Sequence, residues 1–288
     1  MFKGSFVAIV TPFKKGKVDR QRFRELVEFH IENGTDGIVP AGCTGEAATL
    51  THEEQKALIK FTCEVVNGRV PVVAGAGSNS TAEAIALTKY SKRAGADGVL
   101  SITPYYNKPT PEGQYRHYEA IAKSCDIPVM VYNVPSRTGI SIKPETVARL
   151  SKIENIAAIK EASGSLDQVS QIISLCDITV LSGDDSLTLP MMSVGAKGVV
   201  SVVANVIPGE VHEMTKEYLE GSNEEARRLH YRILPLCKAM FIETNPLPVK
   251  TSLKMLGMSN GEMRLPLCEM QAENRVKLKK ALKEYGLL

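Results

Sequence analysis

The sequence has no C-x-x-C pair: its six cysteines, Cys43, Cys63, Cys125, Cys176, Cys237 and Cys268, stand singly. That spacing argues against a disulfide framework and a zinc site, and for reduced thiols in a cytoplasm. The five histidines, His30, His52, His117, His212 and His230, show no metal-ligand spacing either. Long apolar runs are missing as well. Phe6–Val10, near the start, is too short for a signal peptide or a membrane span, so no targeting segment is visible. No G-x-G-x-x-G follows the first expected strand, and no G-x-x-x-x-G-K-[ST] occurs anywhere. An excess of one charge is also lacking. The net charge of +3 is too small and too scattered to argue for nucleic acid. The late run Lys277, Lys279, Lys280 and Lys283 reads as the wet face of a terminal helix.

What is present is the balance of a soluble globular chain, 43% hydrophobic and 23% charged. At 288 residues it can bury a substantial core without staples. Short apolar runs alternate with helical patterns. Strands are expected at Phe6–Val10, Gly37–Ala41, Pro71–Ala74, Asp97–Ile102, Pro128–Tyr132, Ile156–Lys160, Ile178–Leu181 and Gly198–Val203. Between them, Asp19 and Thr51 can cap helices, the latter with Glu54 as a capping box, and Pro144 can open one. Eight strand-then-helix units at a repeat of roughly 30 residues point to an α/β fold, a (β/α)8 barrel spanning residues 1–206. A doubly wound open sheet is the fallback. Residues 207–288 show helical period without strand signals and read as a C-terminal α-helical appendage. Within it, Ser222 and Glu225 match a capping box and Pro235 is expected to bend or interrupt a helix.

Chemistry in such a barrel collects at the carboxyl ends of the strands. Ile156–Ile159 is an apolar run with no alternation, as in a strand buried on both faces, and Lys160 ends it. A desolvated lysine has a lowered pKa, and its neutral amine can form a Schiff base with a carbonyl. The plainer alternative is a lysine whose stem covers apolar surface while its head reaches water. The neighbouring strand ends decide between them: Cys43, Thr44 and Glu46; Tyr105 and Tyr106; Tyr132 with Arg137 in its loop; Gly183, Asp184 and Asp185. An amine, phenols, an arginine fork and a glycine-bounded turn suit covalent carbonyl chemistry without a metal. Tyr132 could equally be a buried phenol bonded to structure. Lys197 precedes its strand and Lys250 lies outside the barrel pattern, so neither competes as nucleophile. Asp184 and Asp185 read as a helix N-cap.

Six motifs carry a resemblance over essentially the whole chain: Gly42-x-Thr44-Gly45-Glu46, Thr103–Pro109, Tyr132-Asn-Val-Pro-Ser-Arg-Thr-Gly139, Ile159–Ala162, Leu181–Asp185 and Asn245–Lys250. The chain resembles the pyruvate-dependent class I aldolase/lyase family and, within it, the dihydrodipicolinate synthases. That resemblance implies a lyase condensing pyruvate with L-aspartate 4-semialdehyde through a Lys160 Schiff base, a step of diaminopimelate and lysine biosynthesis, with no cofactor and no metal. It implies that Tyr132, Cys43 and Tyr106 relay protons, Tyr106 across a subunit boundary. Thr44, Arg137, Gly183 and Val200 would bind substrate. It further implies a homotetramer built as a dimer of dimers, and an L-lysine effector held by His52, Asn79, Glu83 and Tyr105. Ala47 and Gln55 lack the serine and histidine of some inhibited relatives. The family relay has a threonine where this chain has Cys43; a thiol bonds more weakly than a hydroxyl, so an altered turnover is expected.

Other occupations of the same residues are an N-acetylneuraminate or 2-keto-3-deoxy-sugar-acid lyase, which would prefer another residue at Arg137, and a non-catalytic barrel that senses keto acids. Only the last predicts no imine with pyruvate.

Overall fold

A computed structural model of the chain describes residues 2–288. In chain order its strands are β1 (Gly4–Ala8), the hairpin arms β2 (Phe13–Lys14) and β3 (Lys17–Val18), β4 (Gly37–Val39), β5 (Val73–Gly75), β6 (Gly98–Ile102), β7 (Val129–Asn133), β8 (Ile156–Glu161), β9 (Thr179–Ser182) and β10 (Gly198–Ser201). Eight of them form one parallel sheet in the order β4-β1-β10-β9-β8-β7-β6-β5. A parallel bridge from Ile38 to Val72 joins the two edges and closes the barrel. Closure removes the open edges that a doubly wound sheet would keep, and settles the fold as a (β/α)8 barrel.

The helices are α1 (Arg20–Glu32), α2 (His52–Val66), α3 (Thr81–Arg93), α4 (Pro111–Ser124), α5 (Pro135–Thr138), α6 (Pro144–Leu150), α7 (Leu166–Leu175), α8 (Thr188–Ser193), α9 (Pro208–Leu219), α10 (Asn223–Ala239), α11 (Leu247–Met255) and α12 (Ala272–Tyr285). Local chemistry explains several starts. The Asp19 side chain accepts from Arg22 N, and Thr51 and Glu54 form a reciprocal capping box. Each such cap contributes about 1 kcal/mol. Pro111, Pro135, Pro144 and Pro208 stand in first turns, where a missing N–H costs nothing.

Strand alternation builds two cores. Phe6, Val73, Leu100, Met130, Ala158, Leu181 and Val200 point inward and fill the barrel. Val7, Ile38, Val99, Val131, Ile159 and Val199 point outward and meet the helices. The strands are buried on both faces, which is why they read as unbroken apolar runs. Gly37 is part of the interior packing: the Phe6 ring occupies the space a Cβ there would need.

Three details differ from the sequence expectations. The side chain of Ser222 makes no cap bond, although Glu225 stands three residues on. Pro235 does not interrupt its helix: it lies inside α10, which continues to Ala239. The β2–β3 hairpin was not expected; Lys15 and Gly16 turn it, both with positive φ, 53° and 75°. The break at 206/207 falls between the last strand and the helix that packs on the sheet beside it. α9 lies against β1 and completes the ring, and α10–α12 form the helical layer beyond.

Candidate active site

Lys160 and Tyr132 come from adjacent strands in register, Tyr132 on β7 opposite Lys160 on β8. Both side chains point into the barrel. Lys160 is 5% exposed, and its Nζ stands 4.3 Å from the centre of the Tyr132 ring. The next residues on the two strands point the other way and lock the pair. Asn133 Nδ2 donates to both Glu161 carboxylate oxygens at 3.1 and 3.0 Å, and Gln168 Nε2 and Ser163 N add bonds at 3.1 and 2.7 Å. This buried network fixes the strand ends, and with them the two inward side chains.

Burial pulls the Lys160 ammonium down to about 8, with nearby Cys43, Asp185 and Asp184 opposing the fall. No carboxylate pairs with it among the described residues. Burial, then the neighbouring Cys43 thiol, pushes the Tyr132 phenol well above its usual value, so it holds its proton at neutral pH. The same burial raises the Asp184 and Asp185 carboxyls. The site thus holds an amine that can be neutral beside a phenol that stays protonated.

Gly183 approaches this amine closely. A Cβ at that position would lie 3.0 Å from Lys160 Cε and 2.6 Å from Ala162 Cβ, so only glycine leaves the lysine room. Of the aspartate pair expected to cap a helix, Asp184 stands at the N-cap position of the short turn Asp185–Leu187 without a side-chain bond to it, and Asp185 does other work. Its Oδ2 accepts from Val202 N and Val203 N at 3.0 and 2.9 Å, anchoring the loop after β10.

Lys160, Tyr132, Cys43, Thr44, Arg137 and Gly183 line one cavity of about 530 Å3. Across it, the segment between α10 and α11 contributes Asn245, the first residue of the Asn245–Lys250 motif, to which the sequence assigned no role. Asn245 Nδ2 donates to Thr44 Oγ1 at 2.9 Å, and its backbone oxygen accepts from Arg137 Nη2 at 2.9 Å. The amides of Cys43 and Thr44 donate to no other backbone group among the described residues. Val200 is fully buried on β10 and is not among the residues that line this cavity. Tyr106 is not brought to the cavity: it is 89% exposed, with φ of 68°.

His52, Glu83 and Tyr105 line a second cavity of about 420 Å3, which also touches Cys43, Tyr132 and Arg137. His52 Nε2 is 4.0 Å from Glu83 Oε2, and Ser78 Oγ donates to the same oxygen at 2.7 Å. Asn79 is not among the residues lining this cavity, but its Nδ2 donates to the backbone oxygen of Tyr105, which does, at 3.2 Å. Ala47 and Gln55 line this cavity too. Among the described residues, no cluster of three or more His, Cys, Asp or Glu could hold a metal ion. No described helix is long and apolar enough to cross a membrane.

Lys250, set aside from the sequence as an unlikely nucleophile for its position, proves fully buried. Its Nζ bonds Glu46 instead of facing the cavity, so it differs from Lys160 in having a carboxylate partner.

The chain is similar to known proteins over its whole length. The 4-hydroxy-tetrahydrodipicolinate synthase of Geobacter sulfurreducens is 58% identical over 290 residues, covering 100% of both chains. A crystal structure of chloride-inhibited dihydrodipicolinate synthase from Acinetobacter baumannii, complexed with pyruvate, is 44% identical, covers 100% of both chains and superposes with a TM-score of 0.98. The Cyanidioschyzon merolae enzyme with lysine bound is 44% identical over 100% of this chain and 99% of that one, with a TM-score of 0.97. With residues 1–285 matching the family model as well, the chain belongs to the dihydrodipicolinate synthetase family.

Proposed function

We propose that this chain is a 4-hydroxy-tetrahydrodipicolinate synthase, condensing pyruvate with L-aspartate 4-semialdehyde in diaminopimelate and lysine biosynthesis. The observation that carries the reading is the Lys160 amine, lowered by burial to about 8 and facing a cavity that also holds Tyr132 and Arg137. In this mechanism Lys160 attacks the pyruvate ketone, and loss of water gives an imine. Loss of a methyl proton converts the imine to an enamine. The enamine carbon attacks the aldehyde of the second substrate, whose own amine then displaces Lys160 as the ring closes.

The other residues take the following roles. The free amides of Cys43 and Thr44 receive the pyruvate carboxylate, and the carbonyls of Gly183 and Val200 help to line the site. Arg137, its guanidinium steadied by the Asn245 carbonyl, receives the carboxylate of the semialdehyde. Tyr132 and Cys43 pass protons. Tyr106 completes the relay in a neighbouring subunit, which its exposure in the single chain supports. The active form is then a dimer at least, assembled as a tetramer of two dimers. Six free cysteines are in keeping with a cytoplasmic enzyme.

The second cavity is assigned to L-lysine as effector, with Glu83 answering its α-ammonium and His52, Asn79 and Tyr105 around it. Lysine titrated into an activity assay should lower the rate; a flat response rejects this site. For the reaction itself, borohydride reduction in the presence of pyruvate followed by peptide mapping should place the added mass on Lys160. A coupled assay with aspartate semialdehyde then separates the synthase from sugar-acid lyases. No added mass would leave a barrel that merely binds keto acids.

A further inference from the structure

Behind the turn that carries the Cys43 and Thr44 amides lies a buried charge pair that the proposed reaction does not use. The Lys250 and Glu46 side chains are both fully buried. Lys250 Nζ donates to Glu46 Oε1 and, at 2.9 Å, to Thr11 O, and it stands 4.4 Å from the centre of the Phe13 ring. The other Glu46 oxygen faces Arg264 N at 3.4 Å. Thr11 Oγ1 donates in turn to Gly45 O at 2.7 Å. Strand β1's exit loop, the 42–46 turn and helix α11 therefore meet at one ammonium group.

The backbone at Glu46 explains what this meeting holds. Glu46 is in the left-handed region, with φ of 57°, a conformation that costs a non-glycine residue on the order of 1 kcal/mol or more. Its N–H donates to Cys43 O at 3.1 Å, and the next N–H, of Ala47, donates to Gly42 O at 3.2 Å. These two bonds close the turn around Cys43 and Thr44, and so set the direction of their free amides. A buried ion pair adds little net stability over a well-packed apolar pair, so stability alone is a weak reason for placing one here.

We infer that Glu46 and Lys250 are positioning residues for the keto-acid carboxylate: their pairing holds the 42–46 turn so that the Cys43 and Thr44 amides point into the cavity. The same segment works at both ends. Asn245, at the entry to α11, grips the Thr44 hydroxyl and Arg137, while Lys250, on α11, grips Glu46. The helical layer thereby sets the geometry at both substrate carboxylates. Lys250 is no second nucleophile, since it does not line the cavity and its ammonium is held by a carboxylate.

This inference rests on the reading of pyruvate as substrate, and the test separates the two. Wild type is first trapped with pyruvate and borohydride; no label on Lys160 sinks the proposed function itself. Glu46→Asp keeps both charges, and so the fold, but shortens the strut by one methylene. Lys250→Met with Glu46→Gln removes both charges together and avoids stranding one. In both proteins the pyruvate concentration for half-maximal trapping, and KM for pyruvate, should rise about tenfold or more, as a small misplacement of a binding group does. The rate at saturating pyruvate and its pH profile should move by less than about twofold, because Lys160 and Tyr132 are untouched. A melting temperature that falls while KM for pyruvate stays at the wild-type value in either protein overturns the inference, as does a rise confined to KM for the semialdehyde.

Discussion

Lys160 Nζ lies over the face of the Tyr132 ring, 4.3 Å from its centre, on strands where the two residues pair directly. The ring face and the phenol oxygen therefore have separable effects. The face packs against the amine and helps to desolvate it, whereas the oxygen is the group that can carry a proton. Tyr132→Phe keeps the first and deletes the second. Borohydride trapping of pyruvate on Lys160 should survive in this variant, while turnover falls by about 10²–10⁴. Equal loss of trapping and turnover would show that the phenol acts before the imine and not as a later shuttle.

The pH dependence follows from the amine's lowered value of about 8. Below it the folded enzyme holds an ammonium, which cannot attack a carbonyl. The rate of imine formation at subsaturating pyruvate should rise about tenfold per pH unit below 8 and level off above it. The stability consequence has a definite sign. Between about 8 and the ordinary lysine value of 10.5, the unfolded chain keeps a proton that the folded one has released. Lys160 therefore lowers stability most below pH 8, and the loss is relieved as pH rises through that window. Lys160→Met should melt higher than wild type at pH 7, with the gap narrowing toward pH 10 in paired thermal melts. A gap that widens would mean that the ammonium is stabilised in the folded site.

Cys43 stands between the two cavities and touches the interior cluster that includes Tyr132. A hydroxyl is a stronger donor and acceptor than a thiol, at shorter distance. Cys43→Thr should raise kcat severalfold, and pyruvate trapping should be unchanged, since the backbone amide proposed for the carboxylate is kept. An unchanged kcat would remove the thiol from the proton relay and leave it a small packing residue.

The strand ends were legible because a barrel puts every carboxyl end on one face, whatever the loops do. Lys160, Tyr132, Cys43, Thr44, Arg137 and Gly183 meet in one cavity for that reason. The Glu46–Lys250 and Thr44–Asn245 contacts were not, because each joins residues some 200 positions apart, and nothing in a single sequence pairs them. Ser222 shows the opposite failure. Its spacing to Glu225 is that of a capping box, yet its ψ of 60° lies outside the extended region that aims an N-cap hydroxyl at the helix amides. Tyr106 is exposed in the single chain and lies outside the cavity, so its place in the motif did not tell where its side chain would stand.

Gly183 offers the sharpest check on how the amine is held. Its carbonyl-side neighbours turn the chain away from β9, and its own N–H donates to Glu161 O at 2.7 Å, so the backbone there is tied to the strand that carries Lys160. A Cβ added at this point meets Ala162 Cβ at 2.6 Å on one side and Lys160 Cε at 3.0 Å on the other. The backbone bond resists any shift away from β8, so the overlap must be relieved by moving Ala162 and turning the lysine stem. Overpacking of this kind costs about 1–3 kcal/mol, which a thermal melt of Gly183→Ala would register as a modest fall. The chemical penalty should be larger. A lysine turned away from the Tyr132 ring loses its attack geometry, and pyruvate trapping should slow by about tenfold to a hundredfold. If Gly183→Ala melts lower yet traps pyruvate at the wild-type rate, the lysine has room that this packing denies it.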